Sequence, residues 1–540
     1  MRPPIQAGAD LAEYDARWNA AIAALAAMYD RLRTGRGQRL DVSIQEAELT
    51  LNRTRLSRFN NDGVVLRRDA GRYGPMGMMR CRDGWVQLVG MTQDQWDALA
   101  ASPEAGALAD PRIATTASRA ENPELAVAAI RAWCEARDKN DVVRILAPLG
   151  TPVGAYATPR DLLGSEQLAH RGFFREIDDG RGGRVRVPGP PYRFSASPAE
   201  VRPPPRLGSS AGFSRDQPDK PHLPPGRALE GIRVLDFTWA AAGPYATLLL
   251  ALLGAEVIKV ESTRRPDPAR RGFLADYGGI NRSPNFNELN LNKRSFQVDL
   301  SKPQGLALAH RLAAWADVVI DDFRPGVMAR FGLDAASLLP RRPDLVVVSS
   351  SANGSTGPEA MAAGLAGIFG ATGGLADQTG YADGPPTEIG ESTDYRSGSA
   401  LAVAVLAALL YRARTGQGQH VDLASREVVA GSAPDALLAE QLGVPWPPRV
   451  GNGHREHAPH DVYPGRTHDD WVAVAVVDQD SWTSLCTALE REDWVQRYPT
   501  PASRAAAGAD IDDAIRRWTR RLTARAAFEP SRAQEYPQWP

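Results

Sequence analysis

The sequence predicts an α/β fold, with a Rossmann-like, doubly wound parallel sheet in a large domain and smaller α+β domains beside it. Two observations carry this prediction. Runs of β-branched and aliphatic residues alternate with helical patterns in the second half of the chain, and 540 residues exceed the length of one ordinary domain. Strands that alternate with helices form parallel sheets, whose ligands bind beyond the carboxyl ends of the strands.

The elements of this sheet follow one another in a regular order. Apolar strand patterns occupy four segments, 232–237, 256–261, 317–321 and 345–349. Gly243-Pro244 opens an apolar helical pattern after the first strand, and a second helical pattern at 303–316 precedes the third. No GxGxxG motif follows the first strand, which argues against a dinucleotide cofactor.

A segment of the chain repeats at a spacing of 381 positions. Thr34-Gly35-Arg36-Gly37-Gln38 follows an Ala/Leu-rich helical pattern, and Thr415-Gly416-Gln417-Gly418-Gln419 follows another. Each segment ends its helix with glycines and continues into an alternating, strand-like run, so we expect a strand after both. A further match joins Asp83-Gly84-Trp85-Val86 to Asp469-Asp470-Trp471-Val472, and such self-similarity indicates two related units.

Composition and charge exclude several kinds of partner. The chain has 63 basic and 64 acidic residues, and a net charge of −1 provides no field that would attract nucleic acid or an anionic membrane. The longest apolar run, 400–410, is shorter than the roughly 20 residues of a membrane span. The N-terminus lacks the apolar core of a signal peptide, so we expect a cytoplasmic protein. The three widely spaced cysteines, Cys81, Cys134 and Cys486, predict buried thiols and no disulfide framework.

Several ordered motifs resemble those of one enzyme family. They are 229–235, 243–261, Asn292-Lys293-Arg294-Ser295, Phe323-Arg324-Pro325-Gly326-Val327, Gly384-Pro385-Pro386 and the two Thr-Gly-x-Gly-Gln segments. Together they are similar to the motifs of the family III CoA-transferases, the CaiB/BaiF family. The resemblance covers nearly the whole chain and implies a Rossmann-like large domain, a small domain and two chains interlocked as rings.

The motifs occur in an unusual order, which predicts the domain boundaries. Residues 1–205 resemble the back part of a first copy, with a connecting helix, a small domain at about 65–150 and a return segment. Residues 206–227 form a Pro-rich linker. Residues 228–430 resemble the large domain of a second copy, and 431–540 resemble an incomplete small domain. Three assemblies remain open: an interlocked homodimer, an intramolecular pseudo-dimer and a complex with a partner subunit.

The resemblance implies that the substrates are an acyl-CoA and a carboxylic acid and that an aspartate attacks the thioester. It places this aspartate eight residues after Pro358, where the chain has Ala366. A methyl group cannot attack a thioester, so the resemblance predicts that this chain alone lacks the nucleophile. Glu359 is the nearest acid upstream, and it would need a different loop path to replace the aspartate.

The resemblance also implies which residues contact CoA. They are Ala240, Ala241, Ala242, Asp322, Phe323 and Arg330. Asp322 stands where the family commonly has asparagine, and a second negative charge would disfavour a phosphate-bearing ligand. Phe323 is suited to pack on adenine and Arg330 to reach a phosphate.

Two other functions are compatible with the same motifs. The chain could be a non-catalytic half that supports an intact copy elsewhere, as the absence of the aspartate indicates. It could also resemble an α-methylacyl-CoA racemase, although that activity needs a histidine before the same aspartate, and Leu365 precedes Ala366.

Three histidines invite a metal-binding interpretation that the sequence disfavours. His454, His457 and His460 lie within seven residues, but Pro459 stands between two of them and excludes helical spacing. We therefore predict no metal site. Neither a GxSxG motif nor a Ser-His-Asp order indicates a hydrolase.

Overall fold

The computed structural model describes residues 2–65, 77–179, 181–202, 226–271, 278–387, 389–390, 392–447 and 449–532. The chain divides into two compact units. The large unit comprises residues 9–376 and 388–446, and the small unit comprises 1–8, 377–387 and 447–540. The predicted linker at 206–227 lies almost entirely outside the described residues, and the predicted assignment of segments to two copies stays a prediction.

The large unit contains seventeen described helices and twelve described strands. The helices are α1 Leu11–Thr34, α2 Ile44–Thr50, α3 Arg53–Asp62, α4 Gln93–Ala100, α5 Thr116–Glu121, α6 Pro123–Glu135, α7 Lys139–Leu146, α8 Pro159–Leu163, α9 Glu166–His170, α10 Ala242–Leu252, α11 Pro284–Leu289, α12 Pro303–Trp315, α13 Ala335–Leu338, α14 Ala366–Thr372, α15 Ser392–Thr415, α16 Ser425–Ala430 and α17 Pro434–Leu442. The strands are β1 Gly77–Cys81, β2 Gly84–Leu88, β3 Val153–Ala155, β4 Phe174–Asp178, β5 Arg184–Pro188, β6 Tyr192–Phe194, β7 Arg233–Asp236, β8 Glu256–Glu261, β9 Lys293–Gln297, β10 Val318–Asp321, β11 Val346–Ser351 and β12 Gln419–Ala424.

A seven-stranded sheet forms the centre of the large unit, in the order β6-β12-β11-β10-β7-β8-β9. All neighbours are parallel except β12 and β6, which pair antiparallel through Val421 and Phe194. Strand β10 is buried at every residue and β11 at four of its six, as in sheets covered by helices on both faces. The predicted α/β fold with a parallel sheet is confirmed.

Helix α15 is the main core helix of the large unit. It packs against α1 and α10, and most of its residues are buried. By length and composition this helix could cross a membrane, but burial of this kind is also found in core helices of globular proteins.

The first residues of helices α1 and α15 are 381 positions apart, and so are their last residues. The two residues of the ion pair that joins these helices have the same spacing. Arg396 donates to both carboxylate oxygens of the buried Asp15 at 2.7–2.9 Å. The strand expected after α15 is present as β12. The strand expected after α1 is absent, because residues 38–43 have no strand neighbour among the described residues.

Two further cores lie away from the seven-stranded sheet. The first, in the large unit, packs α4, α6 and α7 on the sheet β1-β2-β3 around Trp96 and Trp133. The second lies in the small unit, whose elements are β13 His460–Pro464, β14 Trp471–Ala475, α18 Gln479–Ala488, α19 Asp493–Arg497, α20 Pro501–Ala506, α21 Gly508–Thr519 and α22 Ala524–Arg532. Cys81, Cys134 and Cys486 are buried free thiols, as expected.

Candidate functional site

The predicted site residues lie on loops that leave neighbouring strands. Residues 237–241 follow β7, residues 322–328 follow β10, and Ala366 ends the loop that follows β11. These three strands are adjacent in the sheet, so their carboxyl ends meet at one edge. The sheet topology therefore brings together segments that are more than 100 positions apart in sequence.

The loop after β7 has a constrained backbone. Ala240 adopts a φ of 62°, a left-handed conformation that costs a non-glycine residue on the order of 1 kcal/mol. Its backbone N–H donates to Asp267 Oδ1 at 3.1 Å, which holds the loop in this conformation. Ala241 precedes α10, which starts at Ala242 without a side-chain cap. The N–H groups of Ala242 and Gly243 are therefore available to an anion or a carbonyl oxygen, whereas Pro244 has no N–H.

Asp322 and Phe323 contact this loop directly. Asp322 Oδ1 accepts a hydrogen bond from the Trp239 backbone N–H at 2.8 Å. A Cβ on Gly243 would lie 2.7 Å from Asp322 Oδ2, so the carboxyl group sits against the first turn of α10. The Phe323 ring meets the Trp239 ring edge-on at 5.1 Å. The structure thus joins five of the six predicted CoA-binding residues in one cluster.

Arg330 stands apart from that cluster. It lies on a short 3-10 turn, Ala329–Phe331, and its side chain is exposed. No described hydrogen bond or ion pair joins it to Asp322 or Phe323.

Burial changes the expected charge of Asp322. Desolvation raises the pKa of its carboxyl group well above the ordinary value, despite the Trp239 N–H and Lys259. A protonated carboxyl group carries no charge and can donate a hydrogen bond, as the family's asparagine does. The charge repulsion expected between Asp322 and a phosphate-bearing ligand is therefore weaker than a fully ionised carboxylate would give.

A group of buried charges lies beneath the site, and the sequence analysis did not identify it. Lys259 forms an ion pair with Asp267 at 3.0 Å, and Lys293 forms one with Asp236 at 3.2 Å. Burial lowers the pKa of Lys293 to about 8. Burial opposes ionisation of Asp236, but Lys293 and Lys259 outweigh it and hold the pKa of that carboxyl group below its usual value. Charged residues inside the apolar strand pattern at 256–261 were the sequence feature that could have indicated these buried ion pairs.

Ala366 begins α14 and is half-buried. The loop before it is fixed by Glu359, whose carboxylate forms an ion pair with Arg426 at 2.7 Å and whose backbone N–H donates to Gln167. Since Glu359 is committed to these contacts, it does not approach the position of a nucleophile in this structure. Ala366 itself offers no reactive group.

A further carboxylate, Asp394, was not among the predicted site residues. It lies in the first turn of α15 and is half-buried. One turn further on, Gly398 is so close to the loop after β7 that a Cβ would lie 2.5 Å from the Ala242 carbonyl oxygen. Residues four apart share a helix face, so Asp394 lies on the same face of α15 as Gly398. On the α14 side, a Cβ on Gly370 would lie 3.7 Å from Thr393 Oγ1.

Asp394 also lies at the N-terminal, positive end of a helix dipole. A carboxylate in the first turn of a 24-residue helix is stabilised by the helix dipole. An acid placed just before a long apolar helical pattern was the signal that sequence reasoning could have used.

The three histidines of the small unit are close together. The rings of His454 and His457 stack at 4.3 Å, and the rings of His454 and His460 are 5.3 Å apart. His454 Nδ1 accepts hydrogen bonds from the backbone N–H groups of Glu456 and His457, which places its ring proton on Nε2. In that tautomer neither nitrogen of His454 offers a lone pair to a metal ion.

Comparison with known proteins identifies the family. A sequence model of CoA-transferase family III matches residues 1–211 and 229–538. The chain belongs to CoA-transferase family III. The predicted family is confirmed, and its members act on CoA thioesters.

Two family III relatives show how the similarity is distributed. The succinyl-CoA–D-citramalate CoA-transferase of Chloroflexus aurantiacus is 36% identical over 303 residues, which cover 56% of this chain and 75% of that enzyme. A probable CoA-transferase of Mycobacterium tuberculosis is 28% identical over 543 residues, which cover 94% of this chain and 66% of that protein.

A solved structure of the same family supports the fold. The CaiB/BaiF family protein of Brucella suis is 31% identical and superposes with a TM-score of 0.52. The match covers 58% of this chain and 83% of that protein.

Proposed function

We propose that this chain transfers CoA from an acyl-CoA to a free carboxylic acid. The observation that carries the proposal is the cluster at the sheet edge, where the loop 238–241, Asp322 and Phe323 meet the first turn of α10, against which Gly398 of α15 packs. This cluster combines helix N–H groups, a half-buried aromatic ring and a carboxylate. Relatives named as transferases that use succinyl-CoA with D-citramalate or mesaconate make dicarboxylic acids the first acceptors to test.

We propose further that Asp394 is the nucleophile and that Ala366 is a neighbour of the reacting groups. The Asp394 carboxylate attacks the thioester carbonyl, the C–S bond breaks, and CoA leaves as a thiolate from a mixed anhydride. The thiolate then attacks the aspartyl carbonyl, which releases the first acid and forms an aspartyl-CoA thioester. The acceptor carboxylate attacks the aspartyl-CoA carbonyl and expels the CoA thiolate, which leaves a second mixed anhydride. The thiolate then attacks the acceptor carbonyl of this anhydride, so that the acceptor leaves as its CoA thioester and the Asp394 carboxylate is restored.

Trapping the intermediate tests this proposal. The protein is incubated with succinyl-CoA and hydroxylamine, which converts an acylated aspartate to a hydroxamate that peptide mass spectrometry locates. We expect the hydroxamate at Asp394, and we expect Asp394→Asn to reduce CoA transfer at least 1,000-fold while CoA still binds. Asp383→Asn is the matched control because Asp383 is exposed and lies in the small unit. Transfer by Asp394→Asn at the wild-type rate would rule out this nucleophile.

A non-catalytic role is the second candidate, and Ala366 is the observation that favours it. In that case the wild-type chain binds CoA but gives neither transfer nor hydroxamate. Ala366→Asp then creates the carboxylate at the position that the family resemblance implies, and a gain of transfer by this variant would support the second candidate over the first.

We also propose that the two related segments pair within one chain as a pseudo-dimer. The support is the contact between α1 and α15, in which Asp15 and Arg396 occupy equivalent positions of the repeat. In a two-fold interface, a residue on the axis contacts its own counterpart. Here the two counterparts carry opposite charges, so the two unlike helices attract each other.

A further inference from the structure

Equivalent positions of the two related segments differ in exposure. Since α1 and α15 are offset by 381 positions, Met28 corresponds to Leu409, and the residues after each helix correspond in the same way. Met28 is 55% exposed, whereas Leu409 is fully buried. The first segment therefore presents apolar side chains that its counterpart hides.

The same difference continues after the helices. Leu40 and Val42 are 42% and 36% exposed, and their counterparts Val421 and Leu423 are fully buried. Apolar residues at alternate positions are typical of a strand with one covered face. Exposed apolar surface of this kind in a folded protein marks an interaction site.

The counterpart segment shows what covers such residues. Val421 and Leu423 lie in β12, which hydrogen-bonds to β11 on one side and to β6 on the other. Together with Leu409 they pack in the core that contains Val346 and Val348 of β11. The cover is thus a parallel sheet whose neighbouring strand has the position of β11.

We propose that residues 28–44 form a docking surface for an α/β domain of a partner polypeptide, equivalent in fold to residues 228–376 of this chain. The partner's strand at the β11 position pairs in parallel with residues 38–43, which then become a strand. Met28, Leu40 and Val42 are buried against the partner sheet.

A second copy of this chain does not fit this surface. Its β11 is paired along its length with its own β12, from Val346 with Gln419 to Ser351 with Ala424. The docking domain must therefore present a β11-type edge that is unpaired on this side. The proposal is independent of CoA transfer, because pairing of the domains needs no reaction.

Co-expression tests the proposal. The full chain is produced together with a separate, tagged polypeptide of residues 228–376, and hydrogen–deuterium exchange is measured with and without this probe. We expect a 1:1 complex by light scattering and at least 100-fold slower exchange of the amides at 38–43 in the complex.

Two variants sharpen the test. Leu40→Asp combined with Val42→Asp should weaken the complex at least 100-fold, while exchange at 419–424 shows that the large unit stays folded. Leu308→Asp is the matched control, because Leu308 is an exposed apolar residue of α12 outside the docking surface, and this variant should retain the complex.

Several outcomes would overturn the proposal. They include no complex with the folded chain, a complex that survives the Leu40→Asp and Val42→Asp changes, and a dimer of the full chain alone that these changes dissolve. If the probe is insoluble, it is fused through a flexible linker before Arg2. In that fusion residues 9–44 should complete the added domain. The proposal is contradicted if residues 38–43 gain no protection there, or if the fused domain does not fold.

Discussion

Asp321, the last residue of β10, is the clearest case in which burial sets the charge state of a side chain. Desolvation raises the pKa of its carboxyl group to about 7, although the Phe323 N–H and the Ser349 hydroxyl donate to it at 3.2 Å. In the unfolded chain the same group has a pKa of about 4. Between these values the folded state holds a proton that the unfolded state has lost, so stability falls as pH rises from about 4 to about 7 and stays low above that.

We therefore expect Asp321→Asn to stabilise the protein at pH 8 and to have much less effect at pH 4. The amide stays neutral and avoids a cost of up to about 4 kcal/mol, the value of three pKa units. Urea unfolding at both pH values measures the difference. Asp94→Asn, a change at an exposed position, is the control and should shift stability little at either pH. An equal effect of Asp321→Asn at the two pH values would contradict the prediction.

Asp322 makes a related prediction for ligand binding. Because its pKa is raised well above the ordinary value by burial, it is protonated at lower pH and gains a charge as pH rises. That charge would repel the phosphates of CoA. We expect CoA affinity of the wild type to fall as pH rises across the range in which the protein stays folded, and that of Asp322→Asn to remain nearly constant, as measured by titration calorimetry. A wild-type affinity that does not change over this range would show that Asp322 does not couple to CoA.

The pairing of α1 with α15 leads to a prediction at the level of whole elements. Asp15 and Arg396 have 1% and 4% exposed side chains, so removing one partner leaves a buried, unpaired charge. We expect Asp15→Arg to cost about 3–5 kcal/mol, and the double variant Asp15→Arg with Arg396→Asp to recover most of that loss. Denaturant unfolding of the four proteins in this double-mutant cycle gives the coupling energy.

The exposed pair Arg2–Asp383 of the small unit is the matched control, since its side chains are 58% and 71% exposed. Breaking it should cost less than about 1 kcal/mol. A double variant no more stable than Asp15→Arg would mean that the charges at 15 and 396 do not select the pairing of the helices.

Secondary structure was predictable where local pattern and tertiary environment agree. The four predicted strands of the large domain correspond to β7, β8, β10 and β11, whose buried aliphatic residues are visible in the sequence. Strand β9 was missed, because Lys293–Gln297 is a partly exposed edge strand with a polar composition. The strand expected at 38–43 does not form in this structure, for a different reason. It has the pattern of β12 but lacks a described neighbour that would satisfy its backbone hydrogen bonds.

At the scale of the whole molecule, the large unit is assembled from segments far apart in the chain. Strand β6 from the first part pairs with β12, and Arg171 forms buried ion pairs with Asp422 and Glu427. These contacts join residues 171–194 to 419–427 within the large unit, and they support the proposed pseudo-dimer.

The sequence by itself determined the family, the parallel sheet and the loops that carry the site, because these depend on local patterns and ordered motifs. Tertiary structure alone decided that Asp322 lies against the loop after β7 and the first turn of α10, and that burial raises the pKa of its carboxyl group. It also decided that Met28, Leu40 and Val42 are exposed while their counterparts Leu409, Val421 and Leu423 are buried. The physical reason is common to all three results: proximity, desolvation and burial are set by packing between segments distant in sequence, and a local pattern does not specify its neighbours.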